Sequence, residues 1–208
     1  MSNYTQQLTG QEKSNYIAER FPKPTEEVMT TNQKVSCNFN VKGLGGTNEF
    51  HAQPYDTSKT GFYFSTFAEY ETGVEASGAE EFELQYIDGE DCELFNACGI
   101  NQSNLSQWFD EVETLDEWQK IAVFYLTSVC GYDLEDALNK KDDASIQQDD
   151  LESCAIEFFD ECYAHEIPDN LRFYIDYKAF ARDCEIGGDM TEFEYSGLTY
   201  TCTNANGI

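Results

Sequence analysis

The chain has 208 residues and carries 40 Asp and Glu against 12 Lys and Arg, a formal net charge of −28. With 40 % hydrophobic residues, including 15 Phe and 13 Tyr, it has enough apolar material to bury a core, which excludes a wholly disordered polyanion. Two histidines in all, far apart at His51 and His165 and with no nucleophile motif beside either, give no footing for an enzyme.

The charge is unevenly placed. Residues 1–49 hold five acids and five bases, whereas residues 50–208 hold 35 acids and 7 bases. Self-repulsion strains a domain that keeps so much uncompensated charge, so the field itself is expected to serve recognition. Duplex DNA carries roughly one charge per 1.7 Å, so a charge of −28 matches about 48 Å of duplex, or about 14 base pairs. The expected partner is a protein built to grip a polyanion. An acidic protein from a salt-loving organism is the bland alternative, and the neutral first 49 residues speak against it.

Residues 1–47 are polar, with Pro22 and Pro24 close together and a Gly43-Leu44-Gly45-Gly46 stretch at their end. They read as a partly flexible extension that folding and partner binding can dispense with. No apolar segment follows a basic start, and the longest apolar run, Ile121 to Leu126, is too short for a bilayer. A soluble protein of the bacterial cytoplasm, free of membrane and of bound nucleic acid, is expected.

From Phe50 the pattern is strand-like. Phe50 to Gln53, Gly61 to Thr66 and Glu81 to Ile87 read as three strands of a small sheet, with room for a short helix between Phe67 and Gly78. After Gly99 the period becomes helical. Ser103 is expected to cap a helix presenting Leu105, Trp108, Phe109 and Val112 on one face. Thr114 with Glu117 suggests a capping box for a second helix, apolar nearly all round through Ile121, Phe124, Leu126 and Val129, ending at Gly131 and forming the buried centre of its domain. Asp133 caps a short third helix containing Leu134, Ala137 and Leu138.

The strongest helical signal lies further on. Leu151, Cys154, Ala155, Phe158, Phe159 and Cys162 follow helical spacing, with Asp149, Asp150, Glu157, Asp160 and Glu161 opposite. A helix from about Asp176 through Phe180, Ala181 and Cys184 and a hairpin around Ser196-Gly197 complete the chain. The expectation is an α+β protein in an elongated row of three small domains behind the extension: a sheet domain over 48–100, a helical domain over 101–145, and an acidic helix with a hairpin over 146–208. The eight cysteines contain no Cys-x-x-Cys and read as free structural thiols, with Cys154, Cys162 and Cys202 buried.

Solvated helix faces ordinarily interleave Lys with Glu, yet residues 149–161 contain no base. Asp150, Glu157 and Glu161 align at helical rises of roughly 10 and 6 Å. Asp88-Gly-Glu-Asp91 and Lys141-Asp142-Asp143 resemble calcium loops superficially but lack their ligand spacing, so no metal site is expected.

Four segments carry a family resemblance: Ala52-Gln-Pro-Tyr-Asp56, Gly61-Phe-Tyr-Phe-Ser65, Glu80 to Glu90 (EEFELQYIDGE), and Ile167 to Tyr177 (IPDNLRFYIDY) with Ala181-Arg-Asp183. In this order they resemble the ArdA antirestriction family, from about residue 50 to the end. The resemblance implies a DNA mimic borne by phages and other mobile elements, elongated, three-domained and dimeric, which fills the DNA site of type I restriction-modification enzymes without catalysis or cofactor. The acids expected to form the mimic surface are Asp110, Glu111, Asp133, Glu135, Asp136, Asp142, Asp143, Asp149, Asp150, Glu157, Asp160 and Glu161. Competing readings are an acidic inhibitor of another nucleic-acid-binding defence complex, such as a CRISPR effector, and an acidic binding module or chaperone for a basic host protein.

Overall fold

Aromatic residues at alternate positions organise the first half of the molecule. The computed structural model describes residues 48–208, so the expectations for residues 1–47 lie outside the described residues. Strand β1 (Glu49–Pro54) alternates inward Phe50, Ala52 and Pro54 with outward neighbours. It is the middle of an antiparallel sheet ordered β2-β1-β3, between β2 (Phe62–Phe64) and β3 (Phe82–Asp88). Register sets Phe50 opposite Phe64 on one side and Tyr86 on the other. The Phe50 ring lies 5.3 Å from that of Phe64 and 5.3 Å from that of Phe95, in fully buried surroundings.

Helix α1 (Phe67–Ser77) fills the gap between β2 and β3. Thr66 caps it by accepting from the Glu69 amide, Glu69 in turn accepts from the Ser65 amide, and Gly78 at φ +60° ends it. Helix α2 (Cys92–Ala97) was not legible as a helix in the sequence. Helix α3 (Leu105–Asp110) starts at Asn104 rather than Ser103. Ser103 belongs to the Asx turn ahead of it, its amide and its hydroxyl both donating to Asn101 Oδ1, the latter at 2.6 Å. Val112 falls beyond α3, in a short 3₁₀ turn, and is still buried.

Helix α4 (Glu117–Ser128) is the buried centre, with Ile121, Ala122, Val123, Tyr125 and Leu126 out of solvent. Its capping box is Asp116 with Gln119, two residues after the expected Thr114 and Glu117. Thr114 closes the preceding 3₁₀ turn Val112–Thr114 instead, its hydroxyl donating to the Glu111 carbonyl at 2.7 Å. Val129, expected on the apolar surface, is exposed past the helix end. Helix α5 (Leu134–Lys140) is capped by Asp133 as expected, the Asp136 amide donating to it at 2.9 Å.

A second sheet, ordered β4-β6-β5, comprises β4 (Ile146–Gln147), β5 (Thr191–Tyr195) and β6 (Leu198–Cys202). The β5–β6 turn places Ser196 and Gly197 at φ +51° and +75°, the left-handed pair that a two-residue hairpin requires. Between β4 and β5 run α6 (Leu151–Cys162) and α7 (Tyr177–Gly187), the latter capped by Asp176.

The fold is therefore mixed α+β with two small antiparallel sheets. One buried cluster runs from Phe50 through Trp108 and Tyr125 to Tyr195, Tyr200 and Cys202, with no break at residue 100. A separate small cluster of Cys154, Ala155, Ala181, Cys184 and Met190 joins α6 to α7. Cys154 and Cys202 are buried as expected, but Cys162 is exposed, and Cys92 is disulfide-bonded rather than free. Burial pushes the Cys98 thiol up to about 12 and also raises Cys154, Cys184 and Cys202, which keeps these thiols protonated.

Candidate functional site: an acidic surface

All twelve nominated acids are solvent-exposed. Among the described carboxylates only Asp91, Glu113 and Glu152 are appreciably withdrawn from water. Asp110 is the last residue of α3 and Glu111 follows at its C-terminal cap, with no base in the last turn. Asp160 and Glu161 sit equally near the C-terminal end of α6, which also lacks a base in its last turn. Carboxylates there oppose the partial negative charge of the helix end, at about 0.3–1 kcal/mol each at low ionic strength. Stability does not select such placement.

Other members of the set do have local duties. Asp133 and Asp150 are helix caps, the latter accepting the Ser153 amide at 2.7 Å. Asp149 accepts the Asp150 amide through Oδ1, and its carbonyl accepts from the Thr201 hydroxyl. Glu135 and Asp136 occupy the first turn of α5, where the helix end favours negative charge. Asp142 and Asp143 lie in the 3₁₀ turn Lys141–Asp143, with Asp142 accepting from Gln119 Nε2 at 3.2 Å. Glu157, Asp160 and Glu161 are all exposed along α6. Asp150 thus caps α6 while remaining exposed, and Phe158, expected on the buried side of α6, is partly exposed.

The few bases near this surface are mostly engaged. Lys120 Nζ lies 2.7 Å from Asp91 Oδ2. Lys141 donates to the Leu138 carbonyl, and Lys140 lies 5.1 Å from the centre of the Tyr132 ring. Lys178 approaches Glu152, and Arg182 approaches Asp183, each only to 3.9 Å across exposed surface, where pairing neutralises little. The negative field thus stands largely uncompensated.

Sequence reasoning missed a polar junction behind this surface. Asp91 and Glu113 are brought together by Asn48, whose Nδ2 donates to Glu113 Oε1 at 2.9 Å and Asp91 Oδ2 at 3.4 Å. Trp108 Nε1 donates to Glu113 Oε1 at 3.2 Å, and the Tyr86 hydroxyl accepts the Asp91 amide. Burial raises the Tyr86 phenol far above its ordinary value, so it stays neutral. Asp91, which looked superficially like a calcium ligand, is in fact the partner of Lys120. No sequence spacing announces this junction, because its members come from separate elements spread between residues 48 and 120.

Neither histidine belongs to the surface: His51 packs its ring 4.7 Å from Tyr63, and His165 faces Glu166 at 3.8 Å. No helix among the described residues is long and apolar enough to cross a membrane.

The described residues thus form an α+β protein with a wide exposed array of carboxylates. The chain belongs to the ArdA family of antirestriction proteins, whose family model matches residues 18–198. Members of this family are inhibitors, and a restriction enzyme is the partner the family implies. The match begins at residue 18, ahead of the resemblance drawn from residue 50, so residues 18–47 count as family sequence rather than as a leader. No curated protein and no solved structure matches the chain.

Proposed function

We propose that this protein is a DNA mimic that occupies the DNA-binding groove of a type I restriction-modification enzyme and thereby blocks restriction in a bacterial host. The observation that carries the reading is the exposure of all twelve nominated acids in a stretch, residues 50–208, that holds 35 acids against 7 bases. A groove that grips phosphates recognises such an array through many weak contacts, each screened by salt, and needs no single carboxylate. The protein carries no catalytic role and no cofactor in this account. It works as a homodimer in this account, and α6 and α7 share a small core of their own within residues 146–208.

The array makes a specific prediction. Replacing Asp150 with Asn and both Glu157 and Glu161 with Gln should weaken binding to the purified enzyme roughly 3- to 100-fold, at about 0.2–1 kcal/mol for each exposed pair. Asn still accepts the Ser153 amide, so the α6 cap survives. The dependence of affinity on salt should also become shallower, since fewer charges take part. Abolition of binding at every salt by any one of these changes in a folded protein would point to a unique carboxylate site and defeat the array.

A further inference from the structure

We propose that the groove between the start of α4 and strand β4 seats an arginine side chain of the target enzyme, with Trp118 as the platform on which its guanidinium stacks. The groove encloses about 540 Å³, within the range of clefts that hold a small ligand, so one long side chain and the backbone bearing it fit. Asp116, Trp118 and Gln119 line it from the head of α4, Asp142 from the turn Lys141–Asp143, and Ile146 from β4. Trp118 is 52 % exposed, and its ring meets that of Tyr200 at 6.3 Å, nearly perpendicular. Much of the indole is therefore open to a partner, in a concave setting rather than on a flat surface.

Charge and shape select the occupant. Gln119 ties the two walls together: its amide donates to Asp116 Oδ1 at 2.9 Å and its Nε2 to Asp142 Oδ1 at 3.2 Å. Both carboxylates stay exposed, and among the described residues their hydrogen bonds use Oδ1 alone. The base that lines the groove, Lys141, donates to the Leu138 carbonyl at 3.0 Å, and its side chain is only 20 % exposed. A cation from outside thus finds an aromatic face beside carboxylates. A guanidinium can stack on the indole and pair with a carboxylate at once, whereas the strongly hydrated ammonium of lysine acts as a point charge.

That the arginine belongs to the target enzyme rests on the proposed function. The array gives no part to a neutral side chain, so Trp118 separates the two readings: its removal costs no charge.

The test measures affinity of the full chain for a purified type I restriction-modification enzyme and, separately, for oligoarginine and oligolysine peptides of equal length. Trp118→Ala, shown by circular dichroism to fold, should weaken binding to the enzyme and to oligoarginine about 2- to 30-fold, the range for a cation over an indole. The dependence on salt should keep its slope, since no charge is lost. Preference for oligoarginine over oligolysine should shrink, and Trp118→Phe should restore part of it. Acrylamide quenching of the native protein decides the matter if the alanine variant does not fold. Trp108 is fully buried, so quenching reports Trp118, which the bound enzyme should shield. A folded Trp118→Ala variant as tight as the native chain for both enzyme and oligoarginine, or a Trp118 still quenched in the complex, overturns the proposal. Shielding that grows with the concentration of the protein alone would seat a second copy in the groove and overturn it as well. An enzyme that does not bind the native protein would defeat the proposed function, and the peptide measurements would still decide whether the groove takes arginine.

Discussion

Replacing Trp108 with alanine should lower the stability of the fold by about 3–5 kcal/mol, the range for truncating a buried aromatic side chain to alanine. The indole is fully buried, lies 5.1 Å from the Phe95 ring and 6.4 Å from that of Phe50, and donates to Glu113 at 3.2 Å. Its loss opens a cavity where the first sheet meets the helices and removes a hydrogen bond from a carboxylate already drawn out of water. For a chain of this size each kcal/mol moves the thermal midpoint by about 2–4 °C, so a fall of roughly 10 °C is the expected reading. Trp108→Phe, which keeps most of the volume, should cost less. A midpoint within a degree or two of the native value for the alanine variant would mean that the core around Phe50 is not the centre described above.

Lys120→Met should be nearly as damaging for a different reason. Methionine keeps the apolar stem but leaves Asp91 without its 2.7 Å partner, and the two side chains are only 21 % and 12 % exposed in the native pair. Stranding one member of a fully buried pair costs about 3–5 kcal/mol, and residual solvent access reduces this to roughly 2–4 kcal/mol. Adding Asp91→Asn to Lys120→Met should recover part of the loss, since the uncompensated charge is then gone. Urea unfolding of the three variants measures this directly. A double variant no more stable than Lys120→Met would assign the damage to packing rather than to a stranded charge.

Most of the elements were legible because their patterns were long and consistent. The alternation of Phe82, Leu84 and Tyr86, the helical spacing of Leu151, Cys154 and Ala155, and the Ser196-Gly197 turn each agree with the structure. Helix starts were legible only where no preceding turn intervened: Asp133 caps as expected, while Ser103 and Thr114 fall inside an Asx turn and a 3₁₀ turn ahead of their helices. Strand β4, two residues long, has no period to detect and is defined by its pairing with β6. Exposure of Asp149, Asp150, Glu157, Asp160 and Glu161 was read from their opposition to the apolar residues of α6 and agrees with the structure. The retreat of Asp91 and Glu113 from solvent was not, because it depends on Asn48, Trp108 and Lys120 arriving from distant parts of the chain.

The most direct measurement of the central claim is a titration of a purified type I restriction-modification enzyme, bound to labelled duplex DNA, with the native protein at low salt. The account predicts that the duplex is displaced as the protein is added, and that displacement weakens as salt rises, because both ligands compete for the same phosphate-reading groove. An enzyme that holds its DNA unchanged under a large excess of the protein at low salt would contradict it.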